Sequence, residues 1–147
     1  MATENEMKKE YLRGYRRHVR KLSRIEAELE ELRTMKMAIS VNNDGMPHGS
    51  GQSDMSGYAA ELDQLERNLI RERNQRFKGY REISERITKM KSENERDVLF
   101  YRYIKGLAWW EIAEKMGCSE RWVYKIHGKA LAHLELPKEF IVVQSKV

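Results

Sequence analysis

Cysteine, proline and long apolar runs are scarce in this chain, and each shortage excludes something. With Cys118 as the single cysteine, no internal disulfide can form, so a small disulfide-stapled secreted scaffold is ruled out. The opening MATENEMKKEYLRGYRR lacks the apolar centre of a secretion signal. No stretch approaches the ~20 apolar residues that a membrane span needs, and a cytoplasmic protein is expected. Only two prolines are present, Pro47 and Pro137, so most of the chain is free of helix breakers.

Ligand-spaced clusters are lacking too. His18 and His48 have no suitably spaced companions, and His127 and His133, six residues apart, do not form a helical metal pair. They are read instead as side chains that add charge near phosphate as pH falls. GMPHGSG fails as a phosphate-binding loop because Ser50 and Gly51 stand where glycine and lysine belong, and GSGQS is not a nucleophile elbow. No metal, cofactor or enzymatic activity is expected.

What remains is charge and helical periodicity. Charged residues make up 35% of the chain, the net charge is +5, and the mean hydropathy is −0.79, values that fit long, surface-rich helices. Leu12, Tyr15, Val19, Leu22, Ile25, Leu29, Leu32, Met35 and Ile39 recur in steps of three and four, with Gly14 the one internal glycine. That is a single helical stripe. Ser40 to Asp54, SVNNDGMPHGSGQSD, has the composition of a flexible loop. A second stripe follows at Tyr58, Leu62, Leu65, Leu69, Phe77, Tyr80, Ile83, Ile87 and Met90, interrupted by Glu72, Arg73 and Arg76.

Two such stripes bury each other as an antiparallel hairpin, a coiled coil with arms of roughly 30 residues and a stem of about 45 Å. Folding about the loop sets Leu32 near Leu62, Leu29 near Leu65, Ile25 near Leu69 and Tyr15 near Tyr80. The loop end then carries Glu26, Glu28, Glu30, Glu31, Glu61, Asp63 and Glu66. Arginine and lysine collect at the open end, where Arg16, Arg17 and Arg20 are candidates for phosphate or partner contact. The polar break leaves a dimeric or higher coiled coil open as well.

After Ser92 the pattern shortens. Asn94 to Lys105 carries Val98, Leu99, Tyr101, Arg102 and Ile104; Gly106 breaks it; Ala108 to Met116 and Ser119 to about Leu134 read as two helices around a turn. Close crossing of two helices needs a small residue, supplied by Ala113, and the turn needs positive φ, tolerated by Gly117. Ser119 caps the second helix, and Cys118 with Val123 forms a hydrophobic staple. Val123, Ile126, Ala130 and Leu134 make its inner face, with Leu131 towards the edge. Trp109 packs inward, and Trp110 and Trp122 are candidates for partner or phosphate contact. The expected division is a hairpin over 1–92, a helix-turn-helix over 93–136 and a tail over 137–147.

AWWEIAEKMGCSERWVYKIHGKAL resembles, without a gap, region four of bacterial sigma factors, and the preceding VLFYRYIKGL is similar to the helix that opens that module. The resemblance implies that the second helix enters the major groove. It places base and phosphate contacts on Glu120, Arg121, Tyr124 and Lys125, with Ser119 near a phosphate. Gly128 and Lys129 extend the same face, and the glycine allows close backbone approach. Tyr124 stands where sigma factors usually carry a basic residue and Trp122 where they carry a polar one, so base preference does not transfer. No segment resembles the promoter-melting module.

The whole layout resembles small phage regulators, the RinA- and ArpU-type late-gene activators. It implies a sequence-specific duplex DNA-binding transcription regulator of phage or prophage type in a bacterial host cell, with RNA polymerase contact and self-association through the hairpin. Two alternatives stay open: a small terminase-like DNA-packaging adaptor, and a helical interaction protein that binds no DNA.

Overall fold

The computed structural model describes residues 3–42 and 51–140, with the side chains of 37–42 and 51–55 left aside. It is all-α, as the stripes predict: α1 spans Glu4–Asn42, α2 Gly51–Thr88, α3 Glu93–Leu99, α4 Trp109–Met116 and α5 Glu120–His133. A π-helical segment, Phe100–Ile104, continues α3 directly. Helix therefore takes 40–42 and 51–54 of the segment read as loop, while 43–50, His48 among them, lie outside the described residues. No described helix is long and apolar enough to cross a membrane.

The chain divides into two compact units, residues 18–76 and residues 1–17 with 77–147. In the first, α1 and α2 run antiparallel. Ile25, Leu29 and Leu65 are buried together, with Leu32, Leu62 and Leu69 packed around them, in agreement with the expected pairings. The polar break is part of this seam. Glu72 is buried and receives Lys21 Nζ at 3.0 Å on one oxygen, with His18 Nδ1 3.2 Å from the other. The Lys21 hydrogen bond, helped by His18, holds its carboxyl below the usual carboxylate range. A buried carboxylate without such partners would cost far more than it contributes.

The second unit corrects part of the second stripe. Phe77 and Tyr80 are exposed, because the inward line of α2 passes from Leu65 and Leu69 through Glu72 and Gly79 to Ile83, Ile87 and Met90. Tyr15, expected against Tyr80, lies instead against Gly79: its ring carbon is 3.3 Å from the position of an added Cβ. Met35 is likewise exposed, and the side chain of Ile39 lies outside the described residues.

This same unit joins the start of α1 to the three short helices. Lys8, itself buried, donates its ammonium to the Ala132 carbonyl at 3.2 Å, a cation on the C-terminal carbonyls of α5. Arg16 Nη1 donates to the Ile104 carbonyl at 3.1 Å, and Arg86 Nη1 to the Glu135 carbonyl at 3.0 Å. Phe140 packs edge-on against Tyr11, 5.3 Å between centroids; the rest of the tail, 141–147, lies outside the described residues.

Two glycines of this unit adopt left-handed backbone, Gly106 at φ 72° and Gly117 at φ 65°. Space separates them. Nothing stands within 4 Å of a Cβ at Gly117, whereas one at Gly106 would overlap the Arg16 guanidinium. Gly117→Ala should therefore cost only the left-handed penalty, ~1–2 kcal/mol, and Gly106→Ala distinctly more, because it also displaces Arg16. Urea midpoints of the two variants check the order; equal losses would contradict it.

Candidate nucleic-acid interface

The turn between α4 and α5 is built as the sequence predicts. Gly117 ends α4 in the left-handed region, with Cys118 N donating to the Ala113 carbonyl at 3.0 Å. Ser119 Oγ accepts from Trp122 N at 3.1 Å and starts α5. Behind the turn, Val98, Ile112, Ala113, Val123 and Ile126 form one buried cluster, with Trp109, Met116 and Cys118 packed on it. Upstream, Ser92 Oγ accepts from Glu95 N at 3.3 Å and caps α3, and Glu111 Oε1 accepts from Ala108 N at 3.1 Å at the start of α4.

Burial divides α5 into two faces. Val123, Ile126, His127, Ala130 and Leu131 point inward; Leu131, expected at the edge, is fully buried. Ser119, Glu120, Arg121, Trp122, Tyr124, Lys125, Gly128 and Lys129 are all exposed. Gly128 follows Arg121, Tyr124 and Lys125 by seven, four and three residues, so these four share one face, and a Cβ at Gly128 would meet nothing within 4 Å. Among the described residues, the side chains of Glu120, Arg121 and Lys129 form no ion pair or hydrogen bond. Lys125 Nζ lies 6.0 Å from the centre of the half-exposed Trp122 ring. The face thus presents three cations, one carboxylate, two aromatic rings and a strip of bare backbone.

Tyr124 is anchored from below. Its ring centroid lies 4.9 Å from that of Trp109, and Trp109 is held by the Arg102 guanidinium at 4.3 Å from its ring and by His127, edge-on, at 4.8 Å. Arg102 Nη1 also donates to the Leu107 carbonyl at 2.9 Å. Aromatic and cation–π contacts of this kind contribute about 0.5–1.5 kcal/mol each beyond simple burial. They restrict where Tyr124 can point.

The expectation that His127 adds charge near phosphate is overturned. His127 is buried, its Nε2 2.7 Å from Tyr103 Oη. Burial, reinforced by Lys9, Arg102 and Arg13, pushes its pKa down to about 4, so it is neutral at physiological pH. Burial likewise raises the Tyr103 phenol. His133 Nδ1 lies 3.0 Å from both carboxyl oxygens of Glu95, an intramolecular pairing.

Of the further contact candidates, Arg16 is half-buried on the Ile104 carbonyl and Arg17 Nη1 lies 2.8 Å from Glu10 Oε1. Arg20 is exposed in the other compact unit. Trp110 is 59% exposed at the start of α4. Sequence reasoning missed the anchoring role of Arg102, Tyr103 and His127. The FYRYI spacing does not show that a π-helical turn, closed by Lys105 N on the Phe100 carbonyl at 3.0 Å, carries Arg102 and Tyr103 towards His127 of α5. Among the described residues, no group of three or more His, Cys, Asp or Glu side chains is placed to hold a metal ion.

Residues 92–135 match the family model for Sigma-70, region 4. The match begins at the cap of α3 and ends just beyond α5, so a sigma region 4-like helix-turn-helix occupies this stretch. No curated protein and no solved structure matches the chain.

Proposed function

We propose that the chain is a duplex DNA-binding transcription regulator of phage or prophage type, acting in the cytoplasm of a bacterial host and reading DNA with α5. One observation carries the reading. In a helix-turn-helix of sigma region 4 type, the exposed face of α5 holds Arg121 and Lys129 without a partner among the described residues, beside an open Gly128. Arg121 and Lys125 supply donors for guanine O6 and N7, and Glu120 an acceptor for cytosine N4. Ser119 at the helix start and Lys129 at the edge of the face suit phosphate oxygens. Trp110 and Trp122 suit RNA polymerase or phosphate, and the hairpin suits self-association.

The test starts from duplexes selected out of a random pool by the full chain. Binding should weaken steeply with salt, since each phosphate contact releases a counterion. Arg121→Ala should lower discrimination against a substituted base pair by ~1–3 kcal/mol. Gly128→Ala separates stability from recognition. It should raise the melting temperature, because alanine is favoured over glycine in a helix by about 1 kcal/mol, yet reduce DNA affinity by blocking backbone approach. Salt-independent binding, or no selected sequence at all, would rule the reading out in favour of a protein-contact module.

A further inference from the structure

Tyr124 stands on the border between the two faces of α5. His127 and Leu131, three and seven residues beyond it, are buried, whereas Arg121, three before it, and Gly128, four after it, are exposed. Helical spacing sets the ring beside both exposed positions. One side of the ring rests on Trp109 of α4, with 4.9 Å between centroids and 46° between the planes. Trp109 is held in turn by the Arg102 guanidinium, 4.3 Å from its ring, and by the edge of His127. All of these residues belong to one compact unit. Away from Trp109 the ring is open: Tyr124 is 49% exposed, and a Cβ at Gly128 would meet nothing within 4 Å. A braced apolar wall thus stands beside bare backbone.

We propose that this wall packs on the C5-methyl group of a thymine, which makes Tyr124 a base-specificity residue that acts through its ring. The inference deepens, and rests on, the reading of duplex DNA by α5. Base edges in the major groove display hydrogen-bond donors and acceptors, and the thymine methyl is the apolar group among them. A donor or acceptor laid against the ring would give up its hydrogen bond to water without a replacement. The methyl group gives up none, and it leaves water together with the ring face. Bracing by Trp109 matters here, because a ring ordered before DNA arrives loses little further freedom on binding.

The position of the thymine follows from the helix. Arg121 precedes Tyr124 by three residues, a rise of about 4.5 Å, against ~3.4 Å from one base pair to the next. The thymine is therefore expected within about two base pairs of the guanine that Arg121 reads.

Duplexes selected by the full chain supply the probe. The guanine is located by the base pair whose discrimination Arg121→Ala removes, and each thymine is then replaced in turn by deoxyuridine, which lacks the methyl group and keeps every hydrogen-bonding group. At a thymine close to that guanine, deoxyuridine should weaken binding about fourfold, the worth of one methyl group taken from water. Tyr124→Phe should keep that ratio, and Tyr124→Ala should abolish it. Because the ratio compares two duplexes on one protein, any change in the folded fraction cancels. Deoxyuridine tolerated at every position, a ratio that survives Tyr124→Ala, or a ratio lost in Tyr124→Phe would each overturn the proposal and leave DNA reading by α5 intact. Absence of salt-dependent duplex binding would overturn that reading, and this inference with it.

Discussion

A fragment comprising residues 92–140 should lack a cooperative thermal transition, whereas a chain in which a short glycine–serine linker replaces residues 18–76 should keep one. The matched stretch, 92–135, contains the buried cluster of Val98, Ile112, Ala113, Val123 and Ile126. Its compact unit also buries Leu12, Tyr15, Ile83, Ile87 and Met90 from the long helices. At ~1.5–3 kcal/mol for each large apolar side chain taken from water, losing these five removes an amount comparable to the whole stability of a small domain, about 5–15 kcal/mol. Excision also uncovers the Ala132, Ile104 and Glu135 carbonyls now served by Lys8, Arg16 and Arg86.

The linker variant is the necessary control. Tyr15 already lies on Gly79, so Arg17 and Phe77 end neighbouring antiparallel helices, a gap of roughly 10 Å that a few residues span. A point test of the same idea is Leu12→Ala, which should cost about 2–5 kcal/mol, although it lies some eighty residues before the helix-turn-helix. Cooperative unfolding by fragment 92–140 would show that the long helices are dispensable.

Periodicity made the helices, the seam of Ile25, Leu29 and Leu65, and the turn at Gly117 legible. Each is a local pattern or a fold-back of one. The roles of Lys8 and Arg16 were not legible, because they act on carbonyls 124 and 88 residues away, and backbone acceptors leave no mark in a sequence. Phe77 and Tyr80 misled for a different reason. A stripe drawn through apolar letters skips Glu72 and Gly79, yet the helix sets both on its inner face, one paired with Lys21 and His18, the other giving room to Tyr15. The aromatic anchor beneath Tyr124 needed the π-helical turn, which no local propensity announces.

Mild acid should loosen the reading helix from within. His127 has a folded-state pKa of about 4 against ~6.5 for a free histidine. Between those values the unfolded chain holds a proton that the folded chain refuses, so stability is fully present above about pH 6.5 and is lost as pH falls towards 4. The shift corresponds to ~2 kcal/mol once partial solvent screening is allowed for. The groups around the ring enforce it: Tyr103 Oη on its Nε2, Trp109 against its edge, and the cations Arg102, Arg13 and Lys9. Urea denaturation at pH 7 and pH 5 measures the loss. His127→Gln, which still accepts the Tyr103 hydroxyl, should remove the dependence in that window. Glu72, whose carboxyl is held low, adds a loss that develops only as pH falls below the usual carboxylate range, and it cancels between the two proteins. Because His127 backs the Trp109–Tyr124 pair, near-ultraviolet circular dichroism of the aromatic rings should change over the same window in the original protein. A pH slope that survives His127→Gln would assign the acid sensitivity elsewhere.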